Sequence, residues 1–316
     1  MRLMKEFQAS DKPPHPENFF IPRIKALASL LSKHVHFFLL FNTFYGLIFF
    51  THFARFLRFS LEQEYSPHFS LILLVSLYLM HARRQALCAQ AEFCARGGIL
   101  LVLGGVLCYM LGLDLQPSLS HPDFMALTTL GIVTVWVGGF VMCFGLPATR
   151  MAMFPLSFLI FIIPLPEALL SGVIATLQYA SAEVVSLLFQ FTPLPVLREG
   201  VSFTLPGLII EVARECSSIR SSWALLITAA LVSHLLLRRW WSKAVILLLV
   251  FPLAVFKNGV RIVTLTLLTL YVDPGFMHGD LHTRGGAVFF GLACVILLLA
   301  LLGLRKLEAW QAGPRQ

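Results

Sequence analysis

The chain has 316 residues, of which 58% are hydrophobic and 13% charged, and its formal net charge is +8. Soluble domains are roughly 45–50% apolar and about 25% charged, so this composition excludes a cytosolic globular enzyme, and its apolar content excludes a disordered chain. The cytoplasmic loops of a membrane protein explain the basic excess better than nucleic-acid binding does, and we expect no nucleic-acid partner.

The chain begins with a polar, basic stretch, residues 1–34, that lacks the short charged start and early apolar run of a signal peptide. This pattern predicts a cytoplasmic tail with a surface helix near its end. Apolar runs long enough to cross a bilayer follow, and they lie near residues 35–53, 67–81, 97–113, 124–146, 151–166, 218–237, 244–269 and 285–304. The sequence therefore predicts an all-α polytopic membrane protein with about eight transmembrane helices. The N-terminal group of these helices lies within residues 35–150.

The distribution of Lys and Arg predicts the orientation of these spans. With the N-terminus inside, the inner segments hold about three times as many basic residues as the outer segments, which is the asymmetry of cytoplasmic loops. Eight crossings then return the C-terminal tail, residues 305–316, to the cytoplasm. We therefore expect an N-in, C-in protein of the cytoplasmic membrane.

Residues 167–191 are apolar enough to span, but we expect them not to do so. A further crossing would move the basic loop at Arg238 to the outside. One polar stripe at helical spacing runs along this segment, formed by Thr176, Tyr179, Glu183, Ser186 and Gln190. We predict an extracytoplasmic amphipathic helix at 167–191 that lies at the outer interface or dips in and returns. Residues 196–210, with a turn at Pro206 and Gly207, have a more extended pattern.

Charged residues inside a span cost about 2.5–3.5 kcal/mol each on insertion scales, so each one suggests a function. Cys216 lies at the predicted outer mouth of the sixth span, one helical turn before Arg220. A nearby guanidinium and a helix N-terminus both favour a thiolate, which makes Cys216 a candidate nucleophile; the alternative is a small buried residue. The other five cysteines fall in a predicted inner loop or within spans, so we expect no disulfide partner for Cys216.

The outer half of the seventh span contains Lys257, Asn258 and Arg261. Arg261 stays charged, so it either snorkels to the interface or serves as a fixed donor to a developing oxyanion. Asn258 lies three residues earlier on the same predicted face and is a candidate to hold Arg261 or the substrate.

The loop before the last span contains His278 and His282, which are either solvated loop residues or candidates for general acid–base chemistry. Their spacing is that of a zinc pair, but nearby Pro and Gly residues argue against a helix there. The catalytic Glu of a zinc-protease motif is also missing, and we expect no metal and no other cofactor.

The predicted topology brings Cys216, Arg261 and His282 to one membrane depth, because the sixth span starts outside, the seventh ends outside and the eighth starts outside. A thiolate, an oxyanion donor and a general acid–base together form a complete set for acyl transfer.

Three blocks resemble the signature blocks of the exosortase/archaeosortase family: residues 215–221 (ECSSIRS), residues 258–262 (NGVRI), and His282 followed by Gly286 and Phe289. Residues 154–156, 163–166 and 196–200 are also similar to that family, so the resemblance covers roughly residues 150–300.

The resemblance implies a membrane transpeptidase whose catalytic core is residues 151–304. Such enzymes cleave C-terminal sorting signals of exported proteins at the outer face of the cytoplasmic (inner) membrane. The signal is a short motif (Pro-Glu-Pro in the bacterial PEP-CTERM type), one transmembrane helix and a basic tail. The implied partners are therefore tailed exported proteins, an acceptor nucleophile and the lipid bilayer.

By position, the resemblance makes Cys216 the nucleophile that forms a thioester, Arg261 the oxyanion stabiliser and His282 the acid–base. Ser217 and Arg220 would support them, and His278 is the rival of His282. Ser218 replaces the usual Gly, and Arg214 and Glu215 precede the cysteine, which indicates a divergent subgroup.

Two other classes of function compete with this reading: a membrane transporter, and a non-enzymatic assembly component of an export or exopolysaccharide system. The charges cluster at one face rather than at the midplane, and no inverted repeat is evident, which disfavours the transporter. A scaffold would tolerate the loss of Cys216.

Overall fold

The computed structural model describes residues 17–62, 68–212, 219–277 and 286–311. The chain divides into two compact units: the first comprises Met1–Arg58 and Ser70–Ile163, and the second comprises Phe59–Phe69 and Pro164–Gln316. Nearly all of the regular structure is helical. The predicted all-α membrane class is therefore confirmed.

The helices before residue 164 are α1 (Glu17–Ile48), α2 (Phe50–Glu62), α3 (Phe69–Ala82), α4 (Arg84–Ala89), α5 (Ala95–Asp114), α6 (His121–Met151) and α7 (Met153–Phe158), which continues into the 3₁₀ helix Leu159–Ile162. The helix predicted near the end of the N-terminal tail is present, but it is continuous with the first predicted span. The chain then bends by 69° at the break between α1 and α2.

Glycines let α5 and α6 pack with their backbones in close approach. Gly98, Gly105 and Gly112 recur every seven residues on α5, and Gly131 and Gly138 do so on α6. A Cβ at Gly105 or Gly131 would lie 2.7 Å from backbone atoms of the facing helix. Small residues are the usual means of bringing membrane helices together, because lipid offers no hydrophobic force between them.

A backbone break at Gly145 ends the straight part of α6. Its φ of 75° and ψ of 176° fall in a region that only glycine adopts without strain. The carbonyl of Phe144 accepts a hydrogen bond of 3.1 Å from the backbone N–H of Glu92. Pro147 follows within the same helix. The apolar chain therefore changes direction before the predicted fifth span begins.

The number of long apolar helices differs from the predicted eight. By length and composition, the described residues contain six helices able to cross a membrane, or seven if the bent pair Lys33–Ile48 and Phe50–Ser60 is one span. The predicted spans 67–81 and 151–166 correspond to Phe69–Ala82 and Met153–Ile162, which are too short to meet that criterion. Conversely, α8 (Glu167–Phe189) is long enough to meet it.

The rest of the second unit contains a small sheet and three more long helices. These elements are β1 (Leu197–Glu199), β2 (Ser202–Leu205), β3 (Leu208–Glu211), α9 (Ile219–Leu236), α10 (Trp240–Tyr271), the 3₁₀ helix Pro274–Met277 and α11 (Gly286–Gln311). Helices α9 and α11 run antiparallel to α10, and all three share an apolar core that includes Leu225, Ile246, Leu253 and Leu297.

The sheet is an antiparallel meander in the order β1-β2-β3. It forms where an extended pattern was predicted, and Gly200 and Gly207 adopt positive φ at its two turns. Its buried residues Phe203 and Ile210 pack with α8, through Phe189, and with α10, through Val263. We call this end of the second unit the sheet end.

Glu308 organises the opposite end of the second unit. Its carboxylate accepts hydrogen bonds of 2.9 Å from the backbone N–H groups of both Arg238 and Arg239, at the start of α10. A negative charge at a helix N-terminus also interacts favourably with the helix dipole. This contact fixes the end of α11 against the start of α10.

Candidate functional site

Helix α8 lies along α10 and runs parallel to it. Ile174 and Leu177, early in α8, share an apolar cluster with Val255, while Phe189 at its end packs with Val263. The polar stripe predicted from the sequence faces away from this contact: Thr176, Tyr179, Glu183 and Gln190 are exposed and Ser186 is partly so. The prediction of a one-sided helix is therefore confirmed, and its packed face is the one that meets α10.

Two small or polar residues bring α8 and α10 into close contact. Asn258 is 1% exposed, and its side-chain amide donates a hydrogen bond of 3.0 Å to the hydroxyl of Ser181. At Gly259, a Cβ would lie 2.5 Å from a methyl group of Val184. The structure thus places Asn258 in the contact with α8.

A second polar contact joins α10 to the first turn of α9. The amine of Lys257 donates a hydrogen bond to the hydroxyl of Ser221. Lys257 is 4% exposed, and it also interacts electrostatically with Arg261 on its own helix and with Cys294 on α11. The start of α9 and the adjoining face of α10 are therefore held at one level.

Arg261 lies one helical turn beyond Lys257 toward the sheet end, and it is partly buried. Residues four apart share a helix face, so Arg261 points toward the side of α10 where α9 begins. The next two residues, Ile262 and Val263, pack with the sheet. Arg261 is thus positioned between the first turn of α9 and the sheet end.

Cys216, Ser217, His278 and His282 lie outside the described residues, and contacts hold the described residues on either side of the cysteine segment. Before the cysteine, Gln178 of α8 donates a hydrogen bond of 2.5 Å to the carbonyl of Val212.

After the cysteine, the buried Ile219 packs with Val255 of α10. An extended chain covers at most about 3.6 Å per residue, so connectivity alone keeps Cys216 within about 14 Å of Val212 and about 18 Å of Ser221.

The residues that flank the segment containing the two histidines lie at the same end of the unit. Because α10 runs toward the sheet end and α11 runs back from it, the flanking residues Met277 and Gly286 both belong to that end. The antiparallel arrangement of α9, α10 and α11 is the arrangement on which the predicted convergence of Cys216, Arg261 and His282 depends.

Arg220 lies in the first turn of α9, exposed, and its charge interacts with His68. The Nε2 atom of His68 is buried and has no hydrogen-bond partner among the described residues. Burial and the positive charge of Arg220 lower the pKa of His68 below its usual 6.5. A neutral imidazole is therefore present beside Arg220 near neutral pH.

An exposed ion pair links the sheet to α8. The guanidinium of Arg198 binds the carboxylate of Glu183 through two hydrogen bonds of 2.9 and 2.6 Å, and it lies 5.7 Å from the ring centre of Phe203. Such a pair is stable in water and costly in hydrocarbon. Its position therefore indicates that the sheet end of α8 is in contact with water.

No group of three metal-ligating side chains occurs in the part of the chain that the structure describes. The cysteines there are free thiols: Cys88, Cys94, Cys108, Cys143 and Cys294. Burial raises the pKa of the Cys88 thiol, which makes it a poor nucleophile.

Sequence reasoning missed several residues that position the site. Gln178, Ser181 and Ser221 act through specific partners on other helices, and no periodicity reveals such pairs. His68 could have been noticed from the sequence, because it is an ionisable residue at the predicted outer start of the second span.

The family model of the transmembrane exosortases matches residues 60–299. Comparisons with curated proteins and with solved structures gave no match. The matched region is well over half of the chain and includes the segment from α3 to α11. The chain therefore belongs to the transmembrane exosortase family.

Proposed function

We propose that this chain is a cysteine transpeptidase that cleaves PEP-CTERM-like C-terminal sorting signals of exported proteins at the outer face of the cytoplasmic membrane. Family membership supports a sorting role. The observation that carries the proposal is the placement of Arg261: it lies on the face of α10 to which the first turn of α9, and hence the chain leading from Cys216, is bonded.

In the proposed reaction, the thiolate of Cys216 attacks the carbonyl carbon of the peptide bond at the sorting motif. Arg261 donates hydrogen bonds to the oxygen that becomes negative in the tetrahedral intermediate. The C–N bond then breaks, and His282 gives a proton to the leaving amine. The products of this half-reaction are a thioester on Cys216 and the released transmembrane tail.

An acceptor nucleophile completes the reaction. It attacks the thioester carbonyl and loses its proton to His282, the C–S bond breaks, and the thiolate of Cys216 is regenerated. The sheet, which packs on α10 just beyond Arg261, forms the surface beside which the motif would lie. Helix α8 supports this surface, because its sheet end packs with the sheet through Phe189.

The test is processing of a tailed substrate in cells that express the wild type or one variant. We expect Cys216→Ala to abolish cleavage and Arg261→Ala to slow it by about 10²–10³-fold, the cost of losing one oxyanion donor. His282→Gln and His278→Gln decide between the two histidines, since only the acid–base should be required.

Matched controls exist for each change. Cys88→Ala removes a partly buried thiol, and Arg305→Ala removes a guanidinium at the far end of α11; both variants should cleave normally. Accumulation of the full-length substrate with Cys216→Ala, together with normal cleavage by the controls, supports the proposal. Normal cleavage by Cys216→Ala overturns it and favours a transporter or a scaffold.

A further inference from the structure

Lys257 is an ionisable residue for which the proposed chemistry has no role. It lies within α10, 14 residues before the end of a 32-residue helix that is apolar enough to span a membrane, and its side chain is 4% exposed. A lysine in such a helix is costly to insert into a membrane, and intramembrane charges usually mark function.

The contacts of Lys257 all connect it to other parts of the second unit. Its amine donates to Ser221, in the first turn of α9. The ionisable groups that interact with it are the guanidinium of Arg261, one turn away on the same helix, and the thiol of Cys294 on the neighbouring α11. Lys257 therefore lies where three helices meet, level with the start of α9.

Helices α9 and α10 also share an apolar contact, through residues such as Leu225, Leu253 and Ile246. Apolar contacts are not directional and tolerate small shifts of one helix along another. A hydrogen bond between two particular atoms fixes the level. The Lys257–Ser221 bond thus fixes the height of the first turn of α9 against α10.

We propose that Lys257 is a positioning residue for the thioester chemistry. Through Ser221 it holds the start of α9, and with it the chain that leads from Cys216, at the level of Arg261. This inference rests on the proposed function of Cys216 and Arg261. It assigns no contact between Lys257 and the substrate.

The experiment is a double-mutant cycle on substrate processing in membranes. Lys257→Met removes the donor and the charge while keeping the length of the side chain, and Ser221→Ala removes the acceptor. We expect each to slow processing, Lys257→Met by at least about tenfold, because small misplacements of reacting groups are costly.

If both residues act through their bond, the double variant should process substrate at the same rate as Lys257→Met to within about twofold. The effects of coupled residues are not additive. Lys257→Arg, which keeps a donor and a positive charge, should restore processing to within about threefold of the wild type. Lys243→Met, at the far end of α10, is the matched control and should process normally.

A second readout needs no substrate. The rate of alkylation of Cys216 by a small maleimide, measured by mass spectrometry on the Cys216 peptide, should change at least about threefold in Lys257→Met and stay near wild type in Lys257→Arg. This readout separates the two proposals, because a wild type that processes no tailed substrate contradicts the proposed function while the alkylation result still tests the positioning role.

Three outcomes overturn the inference. The first is wild-type processing and alkylation by Lys257→Met. The second is a double variant whose fold-loss in processing rate equals the product of the losses of the two single variants. The third is a Lys257→Arg variant that melts like the wild type but processes as poorly as Lys257→Met. If Lys257→Met does not fold, Ser221→Ala and Lys257→Arg still decide between these outcomes.

Discussion

Replacement of Gly259 by alanine tests the close contact between α8 and α10. A Cβ there would lie 2.5 Å from a methyl group and 3.0 Å from the Cβ of Val184. Ordinary carbon–carbon contacts are about 3.5–4.0 Å, so the helices must separate by roughly 1 Å. Valine is stiff at its first side-chain torsion and cannot rotate away freely.

The expected cost follows from two opposed terms. Alanine stabilises a helix by up to about 1 kcal/mol relative to glycine, whereas overpacking destabilises the folded protein by about 1–3 kcal/mol. Gly172→Ala in α8 is the matched control because its Cβ would meet nothing within 4 Å. The same helix-propensity gain applies to both changes, so Gly259→Ala should be less stable than Gly172→Ala by about 1–3 kcal/mol.

The assay is thermal unfolding in detergent, and its readout is the fraction of protein that remains monodisperse on size-exclusion chromatography. We expect the melting temperature of Gly259→Ala to fall several degrees below that of Gly172→Ala. Val184→Ala removes the clashing methyl group and should recover part of the loss in the double variant. A Gly259→Ala variant as stable as the control, or a double variant that loses the sum of both single changes, would refute the steric argument.

Three further predictions concern other parts of the chain. Gly145→Ala should destabilise the protein by at least about 1–3 kcal/mol, because alanine does not tolerate the φ of 75°; an unchanged melting temperature would contradict this. Glu308→Ala should lower the melting temperature more than Glu308→Gln, which keeps one acceptor for the two backbone donors. The lowered pKa of His68 means that the folded state favours the neutral imidazole, so stability is complete above the unfolded pKa of about 6.5 and falls as the pH drops below it; His68→Gln should lose less melting temperature between pH 7.5 and 5.5 than the wild type does, and equal losses would refute the assignment.

The membrane class and the one-sided character of α8 were predictable because both depend on composition and periodicity. Long apolar runs predict helices in lipid, and the stripe through Tyr179 and Glu183 has helical spacing. The extended pattern with a turn at Pro206 and Gly207 likewise predicted the position of β2 and β3. These features are local, so nearby residues determine them.

The number of long helices was not predictable from hydropathy alone. The run at 151–166 is apolar, but the break at Gly145 and the loss of helix after Ile162 reduce it to a short piece. At the break, the backbone N–H of Glu92 donates a hydrogen bond to the carbonyl of Phe144, and such a tertiary contact leaves no periodic signal. Hydropathy measures how apolar a run is and does not report where its backbone turns.

The candidate site was predictable in part. Arg261 is singled out by a charge inside an apolar run, and its role as an oxyanion donor stays a prediction. The partners that hold the site, Ser221 for Lys257 and Ser181 for Asn258, are ordinary serines with no local pattern. Cys216 and His282 remain predictions based on the sequence and the family resemblance.

The unequal lengths of α9 and α10 have a consequence for the geometry of cleavage. Helix α9 has 18 residues, about 27 Å, close to the thickness of a bilayer's hydrocarbon core. Helix α10 continues for about 21 Å beyond Lys257, which is level with the start of α9, and it carries the sheet on this extension. Because this extension is helical, it holds the sheet at a fixed distance beyond the level where α9 begins. Under the proposed function, the number of residues between the motif of a substrate and its own membrane helix would then decide whether the motif reaches the sheet.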